Sequence, residues 1–325
     1  MKALVTGATG FVGSHLVERL LADGHEVVAT LRPTSDTRWL EGLPAERRVA
    51  SLDDPESLRR AVEGAEWVFH VAGLTRARSE RVYMATNAEG TRRLLEAAAE
   101  ARSVQRFIYV SSLAAAGPSA DGRALVEADE PRPLPGYGAS KLAGERAVAE
   151  FADRLAVAIV RPPAIYGPRD RNFTSLFRAA RRLGIAPVAG DKNKKLTLVY
   201  VGDLVECLVL AAANERAVGQ TYFVGSGTHT WAQVVEALSR ALGRTVRAFR
   251  IPKPLAVLAG ELGELKWTLT RKPQILCRRK IRDLLQPHWV CSWEKAQAHL
   301  GYRPATGLED GLRRTARWYE EQGML

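Results

Sequence analysis

Cysteine is scarce in this 325-residue chain, and the three present, Cys207, Cys277 and Cys291, form no CxxC pair and match no metal-ligand spacing. Such a set excludes a disulfide framework and a thiolate metal site. It points to reduced thiols in the cytoplasm, with no metal expected. Long apolar runs are missing too. No uninterrupted apolar segment reaches the roughly 18 residues that span a bilayer, and no secretory signal precedes the first apolar stretch, so a soluble, cytoplasmic protein is expected. Acid is in short supply: Lys and Arg exceed Asp and Glu by 11. The arginines nevertheless alternate with glutamates along helix-like stretches, and no aromatic-plus-basic module accompanies them, so no nucleic-acid partner is expected. Clusters such as Lys192, Lys194, Lys195 and Arg278, Arg279, Lys280 would instead attract phosphates, anionic substrates or a membrane surface.

Hydrophobic residues make up 46% of the chain, enough for one large core or two modest ones. The first half alternates. Strand patterns cover 3–5, 26–31, 48–52, 67–71, 106–111 and 156–160, with helical patterns at 13–23, 55–63, 88–101 and 140–151 between them. Repeated strand–helix units of this length imply a parallel sheet covered on both faces. Asp54-Pro55-Glu56 shows the local chemistry: an N-cap aspartate, a proline at the first helical position and an acid in the first turn start a helix. After Arg161-Pro162-Pro163 the alternation weakens into a basic segment, 169–195, a strand-like TLVYV at 197–201 and a helix from Asp203. IPKPLAVLAGELGELKWTL, from Ile251, reads first as a core-packing helix. A lid over an apolar substrate or a surface-docking helix is the alternative.

What is abundant near the start is bare backbone. Gly7, Gly10 and Gly13 in TGATGFVG follow a short strand and open an apolar helix. That geometry holds a pyrophosphate: Gly7 permits a tight turn, Gly10 leaves no side chain before the phosphate, and Gly13 allows close helix packing. The helix N-terminus adds amide donors and positive potential. The spacing is GxxGxxG rather than the GxGxxG of the usual dinucleotide fingerprint.

TGATGFVG resembles the opening of the extended short-chain dehydrogenase/reductase family, the epimerase/dehydratase superfamily, and the likeness continues through HVAG (70–73), TNAEGT (86–91), VSS (110–112), YGASK (137–141), RPPAIYGP (161–168) and VYVGDL (199–204). The last hundred residues match only loosely. The resemblance implies a Rossmann-type, doubly wound parallel sheet with a smaller mixed α/β C-terminal substrate domain. Its division would be 1–168 for the dinucleotide domain, with 196–224 returning to it, and 169–195 plus 225–325 for the substrate domain. It also implies a homodimer through the helices beginning near Ala88 and Ser140.

Carried over residue by residue, the resemblance assigns catalysis to Ser112, Tyr137 and Lys141. It assigns cofactor contacts to Gly7, Thr9, Gly10, Phe11, Val12, Gly13, Arg32, Ser51, Leu52, Val71, Ala72, Gly73, Pro163 and Ile165, with Tyr137 and Lys141 again. Ser112 is preferred to Ser111 by its spacing to Gly117, and Asn87 would order a water or cap a helix. Tyr137 and Lys141 lie four residues apart, on one helix face. A free phenol titrates at about 10, and a nearby ammonium favours its phenolate. The inferred reaction couples proton transfer by Tyr137 to hydride transfer at the nicotinamide. The second strand ends at Arg32 with no carboxylate before Asp36, which favours NADP(H) over NAD(H) through a 2′-phosphate pair. An arginine stacked on adenine would suit either. Ser51 stands where many relatives carry an aspartate near the adenine amine, and is a weaker acceptor.

Two departures narrow the chemistry. Leu113-Ala114 replace the Asp-Glu pair of sugar-nucleotide dehydratases and cannot transfer protons. Ala164 replaces the asparagine of nucleotide-sugar epimerases. The form is nearer the 3β-hydroxysteroid dehydrogenase and dihydroflavonol reductase branch. The expected function is therefore that of an NAD(P)-dependent oxidoreductase, a carbonyl reductase or alcohol dehydrogenase, for a fairly apolar small-molecule ketone or alcohol. A nucleotide-sugar 4-epimerase stands as the alternative, with Arg169, Arg171 and Arg178 gripping a diphosphate. A non-catalytic NADP-binding protein and peripheral membrane contact through 251–282 are the further alternatives.

Overall fold

The computed structural model describes residues 1–191, 193–270 and 277–325. Lys192 of the first basic cluster, and residues 271–276 of the 251–282 stretch, lie outside the described residues.

The first half alternates in the expected order: β1 (Lys2–Thr6), α1 (Phe11–Ala22), β2 (Glu26–Leu31), β3 (Glu46–Val49), α2 (Pro55–Val62) and β4 (Trp67–His70). It continues through α3 (Glu80–Met84), α4 (Gly90–Glu100), β5 (Arg106–Val110), α5 (Leu113–Ala116), α6 (Tyr137–Ala149) and β6 (Val157–Arg161). Local chemistry accounts for α2 as anticipated: Asp54 Oδ1 accepts from the backbone N–H groups of Glu56 and Ser57 at 3.1 and 3.3 Å, behind Pro55. The third strand is displaced from 48–52. It ends at Val49 because the Ser51 N–H donates to Ser57 Oγ (3.1 Å) and the Ser51 carbonyl takes Asp54 N–H (3.0 Å), so Ser51 and Leu52 turn into α2 instead of pairing.

The second half adds β7 (Ala164–Tyr166), α7 (Thr174–Leu183), β8 (Ile185–Ala189), β9 (Lys195–Tyr200), α8 (Val201–Ala213), β10 (Gln220–Phe223) and β11 (Gly227–Thr230). Then follow α9 (Trp231–Leu242), β12 (Arg247–Ile251), α10 (Lys253–Thr270), α11 (Arg278–Leu284), α12 (Glu294–Leu300) and α13 (Leu308–Glu321). Seven parallel strands form one sheet in the order β10-β6-β5-β4-β1-β2-β3. The order reverses between β1 and β4, and open sheets of this kind bind ligands in the crevice beyond the carboxyl ends there. β7, β9 and β11 make a separate small sheet, and β8 pairs with β12. Of residues 196–224, α8 and β10 pack with the large sheet, while β9 belongs to the small one.

Alternation along the strands feeds two cores. On β1, Ala3 and Val5 join the face covered by α1 and α8, whereas Leu4 joins the face covered by α2, α4 and α6. A third cluster, with Phe177, Leu238, Leu312 and Tyr319, packs α7, α9 and α13 together.

Two expectations about surfaces are corrected. Lys194 is not part of an exposed basic patch: it is buried, and its ammonium donates to the carbonyls of Ala189 and Leu284 at 2.7 and 2.5 Å. α10 is not a core helix. It buries only Ala256, Gly260 and Trp267, and its leucines face outward, because the face through Gly260 is the one that fits closely on α11. Among the described residues no helix is long and apolar enough to cross a membrane.

Candidate active site

Parallel topology brings the ends of β1, β2, β4, β5 and β6 to one edge of the large sheet, and with them most of the residues singled out above. The glycine turn follows β1. Gly7 has φ +68°, a left-handed conformation suited to glycine, and Gly10 N–H donates to its carbonyl at 2.9 Å. A Cβ at Gly7 would lie 2.9 Å from the Ala72 nitrogen, and one at Gly13 only 2.2 Å from the Gly7 oxygen. The turn, the loop after β4 and the start of α1 thus meet without intervening side chains. Gly10 caps α1 with no side-chain bond, and no acid occupies its first turn. The N–H groups there are left for an anion, which is what a dinucleotide pyrophosphate requires.

Arg32 follows β2 directly. It is exposed, and among the described residues its guanidinium has no ion pair, whereas Asp36 is taken by Arg38 at 2.6 Å. Ser51 and Leu52 follow β3, with the Leu52 side chain packed where a Cβ on Gly90 would stand, 2.8 Å away. Val71, Ala72 and Gly73 follow β4. Pro163 is buried after β6, and Ile165, in β7, packs on the α1–α8 core.

Ser112 caps α5, accepting from Ala114 N–H at 3.1 Å, and its hydroxyl lies close enough to the Tyr137 phenol to draw its pKa down. Ser111, by contrast, is buried and donates to Glu145. The adjacent serines therefore face different groups, and Ser112 is the one beside the tyrosine. Tyr137 is the first residue of α6, and Lys141 follows one turn later. The Lys141 ammonium is buried, donates to the Val110 carbonyl at 2.7 Å and lies 4.2 Å above the Tyr109 ring.

Burial governs the titration of both groups. It pushes Tyr137 up to about 12, with the Ser112 hydrogen bond opposing it and Tyr83 adding to it. It lowers Lys141 to about 7, partly countered by the Glu145 carboxylate. The expected lowering of the phenol by Lys141 does not operate in this arrangement: burial is the main influence on Tyr137, and the ammonium is turned toward Val110 and Tyr109.

The supporting groups were less visible beforehand. Asn87, in a wide helical turn at 85–89, donates to the Leu74 carbonyl and Ser140 Oγ, both at 2.9 Å, and accepts from Leu74 N–H at 2.7 Å. It fastens the loop after β4 to α6, where a water-ordering or capping role was anticipated. His70 holds Thr6 and Thr91 through its two ring nitrogens at 2.8 and 3.0 Å, and burial keeps it neutral, near 3. Glu145 and Arg161 form a bidentate pair at 2.9 and 2.6 Å, each side chain 6% exposed. The available signals were an acid one turn beyond Lys141 and an arginine closing an apolar strand.

The sequence profile of the NAD dependent epimerase/dehydratase family matches residues 3–225. The chain belongs to that family. Its members are nicotinamide-dependent oxidoreductases and epimerases. Within it, the chain is 36% identical to a ceramide reductase of Caulobacter vibrioides, over 99% of this chain and 95% of that protein. It is 31% identical to a 2-alkyl-3-oxoalkanoate reductase of Stenotrophomonas maltophilia, over 97% and 98%. The fold superposes on the Thermus thermophilus UDP-glucose 4-epimerase solved with NAD, with a TM-score of 0.78, 26% identity and coverage of 98% and 99%.

Proposed function

We propose that this family member is an NADP(H)-linked carbonyl reductase, or in reverse an alcohol dehydrogenase, for a fairly apolar ketone and its alcohol. The observation that carries this reading is what the arginines after β7 do. Arg169 is bound to Glu18 at 2.5 Å and stacks 5.0 Å from the Trp39 ring, and Arg178 donates to the Met324 carbonyl. Two of the three cations that would grip a nucleotide-sugar diphosphate are therefore engaged elsewhere. Leu113 is buried and Ala114 carries no titratable group, so the position beside Ser112 offers no second acid or base. Relatives named as reductases span nearly the whole chain.

A bound nicotinamide would exchange a hydride with the carbonyl carbon. The N–H groups opening α1 would hold its pyrophosphate, and Arg32 its 2′-phosphate. The Ser112 hydroxyl would donate to the carbonyl oxygen and align it. Tyr137, protonated at neutral pH, would pass its proton to that oxygen as negative charge builds there. Lys141, titrating near neutrality, serves as the proton reserve on the same helix face.

The test is nicotinamide absorbance with medium- and long-chain ketones, set against an epimerisation assay with a UDP-hexose. Ketone-dependent consumption of NADPH is expected, falling by about 10²–10⁴ in Tyr137→Phe. Arg32→Ala should weaken NADPH about tenfold or more while leaving NADH unchanged. Epimerisation without net oxidation would establish the alternative instead.

A further inference from the structure

α10 packs on α11, and α11 lies beside Tyr137. The Arg279 side chain of α11 donates to the Ala77 carbonyl at 3.4 Å and lies against Gly136. Arg282 donates to the Pro135 carbonyl. The same guanidinium of Arg279 neighbours Tyr83, whose ring stands 6.2 Å from that of Tyr137. α10 rests closely on α11 at Gly260, where a Cβ would come within 2.9 Å of the Ile281 side chain.

Among the described residues nothing covers the opposite face of α10. Leu255, Leu258, Leu262, Leu265 and Leu269 recur at alternating steps of three and four residues, hence in a single stripe, and are 54–74% exposed. At 1.5 Å per residue the stripe runs for about 20 Å. The charge around it is one-sided. Residues 247–282 hold ten Lys or Arg against two Glu, which accounts for eight of the chain's net eleven positive charges. Arg247, Lys253, Lys266 and Lys280 are exposed, and among the described residues none has an ion pair; Glu261 is already bound to Arg278.

We propose that the α10 leucine stripe lies in the interfacial layer of an anionic lipid bilayer, with the surrounding cations on the headgroups. Charge selects this occupant. A second copy docked through the same stripe would oppose two strongly basic segments, whereas an anionic surface neutralises them. A helix with leucines along one face and basic flanks lies in the membrane plane without crossing it. The docking stands on α10 alone. Its consequence, that docking through α10 brings the Tyr137 site, which α11 adjoins, near the layer in which an apolar ketone dissolves, rests on the proposed function.

The test is flotation of the full chain with phosphatidylcholine vesicles, with and without phosphatidylglycerol, at low and high salt. Binding to the anionic vesicles is expected, weakened at least tenfold by Leu258→Ser/Leu262→Ser/Leu265→Ser and by Lys253→Gln/Lys266→Gln/Lys280→Gln. All six positions are at the surface, and an unchanged thermal midpoint and unchanged NADPH binding show that both variants remain folded. No vesicle binding, or equal binding by the leucine variant, overturns the proposal. So does a dimer in sedimentation that the leucine variant dissociates, in the absence of vesicle binding, which would assign the stripe to a second copy. None of these readouts uses turnover, so failure of the reductase reading would leave the result standing.

Discussion

Replacing Gly13 by alanine probes the phosphate turn where it is tightest. The new Cβ would stand 2.2 Å from the Gly7 oxygen and 2.7 Å from its carbonyl carbon, where ordinary contact begins at 3.4 Å. Both obstructing atoms are backbone of a residue at φ +68°, so neither can swing aside as a side-chain tip would. The start of α1 must retreat by about 1 Å from a close-packed neighbour. Overpacking of this kind costs ~1–3 kcal/mol, and the better helix propensity of alanine returns up to ~1 kcal/mol, leaving a net loss of about 1–2 kcal/mol. Affinity should suffer more. Amide bonds to a charged acceptor contribute ~1.5–3 kcal/mol each, so misplacing even one or two reduces NADPH binding by about a hundredfold. Gly10→Ala is the control: its Cβ would meet only the Gly7 oxygen, at 3.1 Å, so the fold should yield by a few tenths of an ångström. The methyl would still project where the phosphate approaches. Urea unfolding and NADPH fluorescence titration separate the two effects. Gly13→Ala with wild-type stability and wild-type affinity would refute the packing argument, and Gly10→Ala with undiminished affinity would refute the placement of the phosphate.

Two further substitutions test the groups beneath the site. Glu145→Gln leaves the Arg161 guanidinium buried without its carboxylate, which should cost ~3–5 kcal/mol in urea unfolding; a loss under about 1 kcal/mol would mean that the pair contributes little. Lys141→Met tests the buried ammonium through pH. Folding lowers this lysine from its usual 10.5 to about 7, so between those values the unfolded chain binds more protons than the folded one. Unfolding then takes up a proton, and wild-type stability rises with pH from about 7 upward. The methionine variant should lack that rise, being more stable than wild type by a few kcal/mol near pH 6 and less distinct near pH 9. Parallel stability curves for the two proteins would contradict it.

Much of the scaffold is legible in the sequence. The strand–helix alternation, the Asp54 cap, the Gly7–Gly13 turn and the Tyr137–Lys141 spacing are recorded in neighbouring residues, because helix starts, turns and faces are set within one or two turns of chain. The displaced end of β3 is a local miss, caused by serine hydrogen bonds that compete with strand pairing at Ser51. Ser112 and Ser111 illustrate a different limit. They are chemically identical neighbours that only the family-like spacing to Gly117 tells apart in the sequence; what each one touches, Tyr137 for Ser112 and Glu145 for Ser111, follows from how α6 packs beside β5.

By itself, the amino-acid order determined a parallel α/β sheet with a dinucleotide turn, and a tyrosine and lysine on one helix face. Tertiary structure alone decided which face of α10 is left outside, since both carry apolar residues and periodicity cannot rank them. It also decided that Arg169 and Lys194 are engaged inside the protein, and that burial raises Tyr137 and lowers Lys141. The reason is common to all of these: desolvation and ion pairing depend on groups brought together from distant parts of the chain, whereas caps, turns and periodicity are written in adjacent residues.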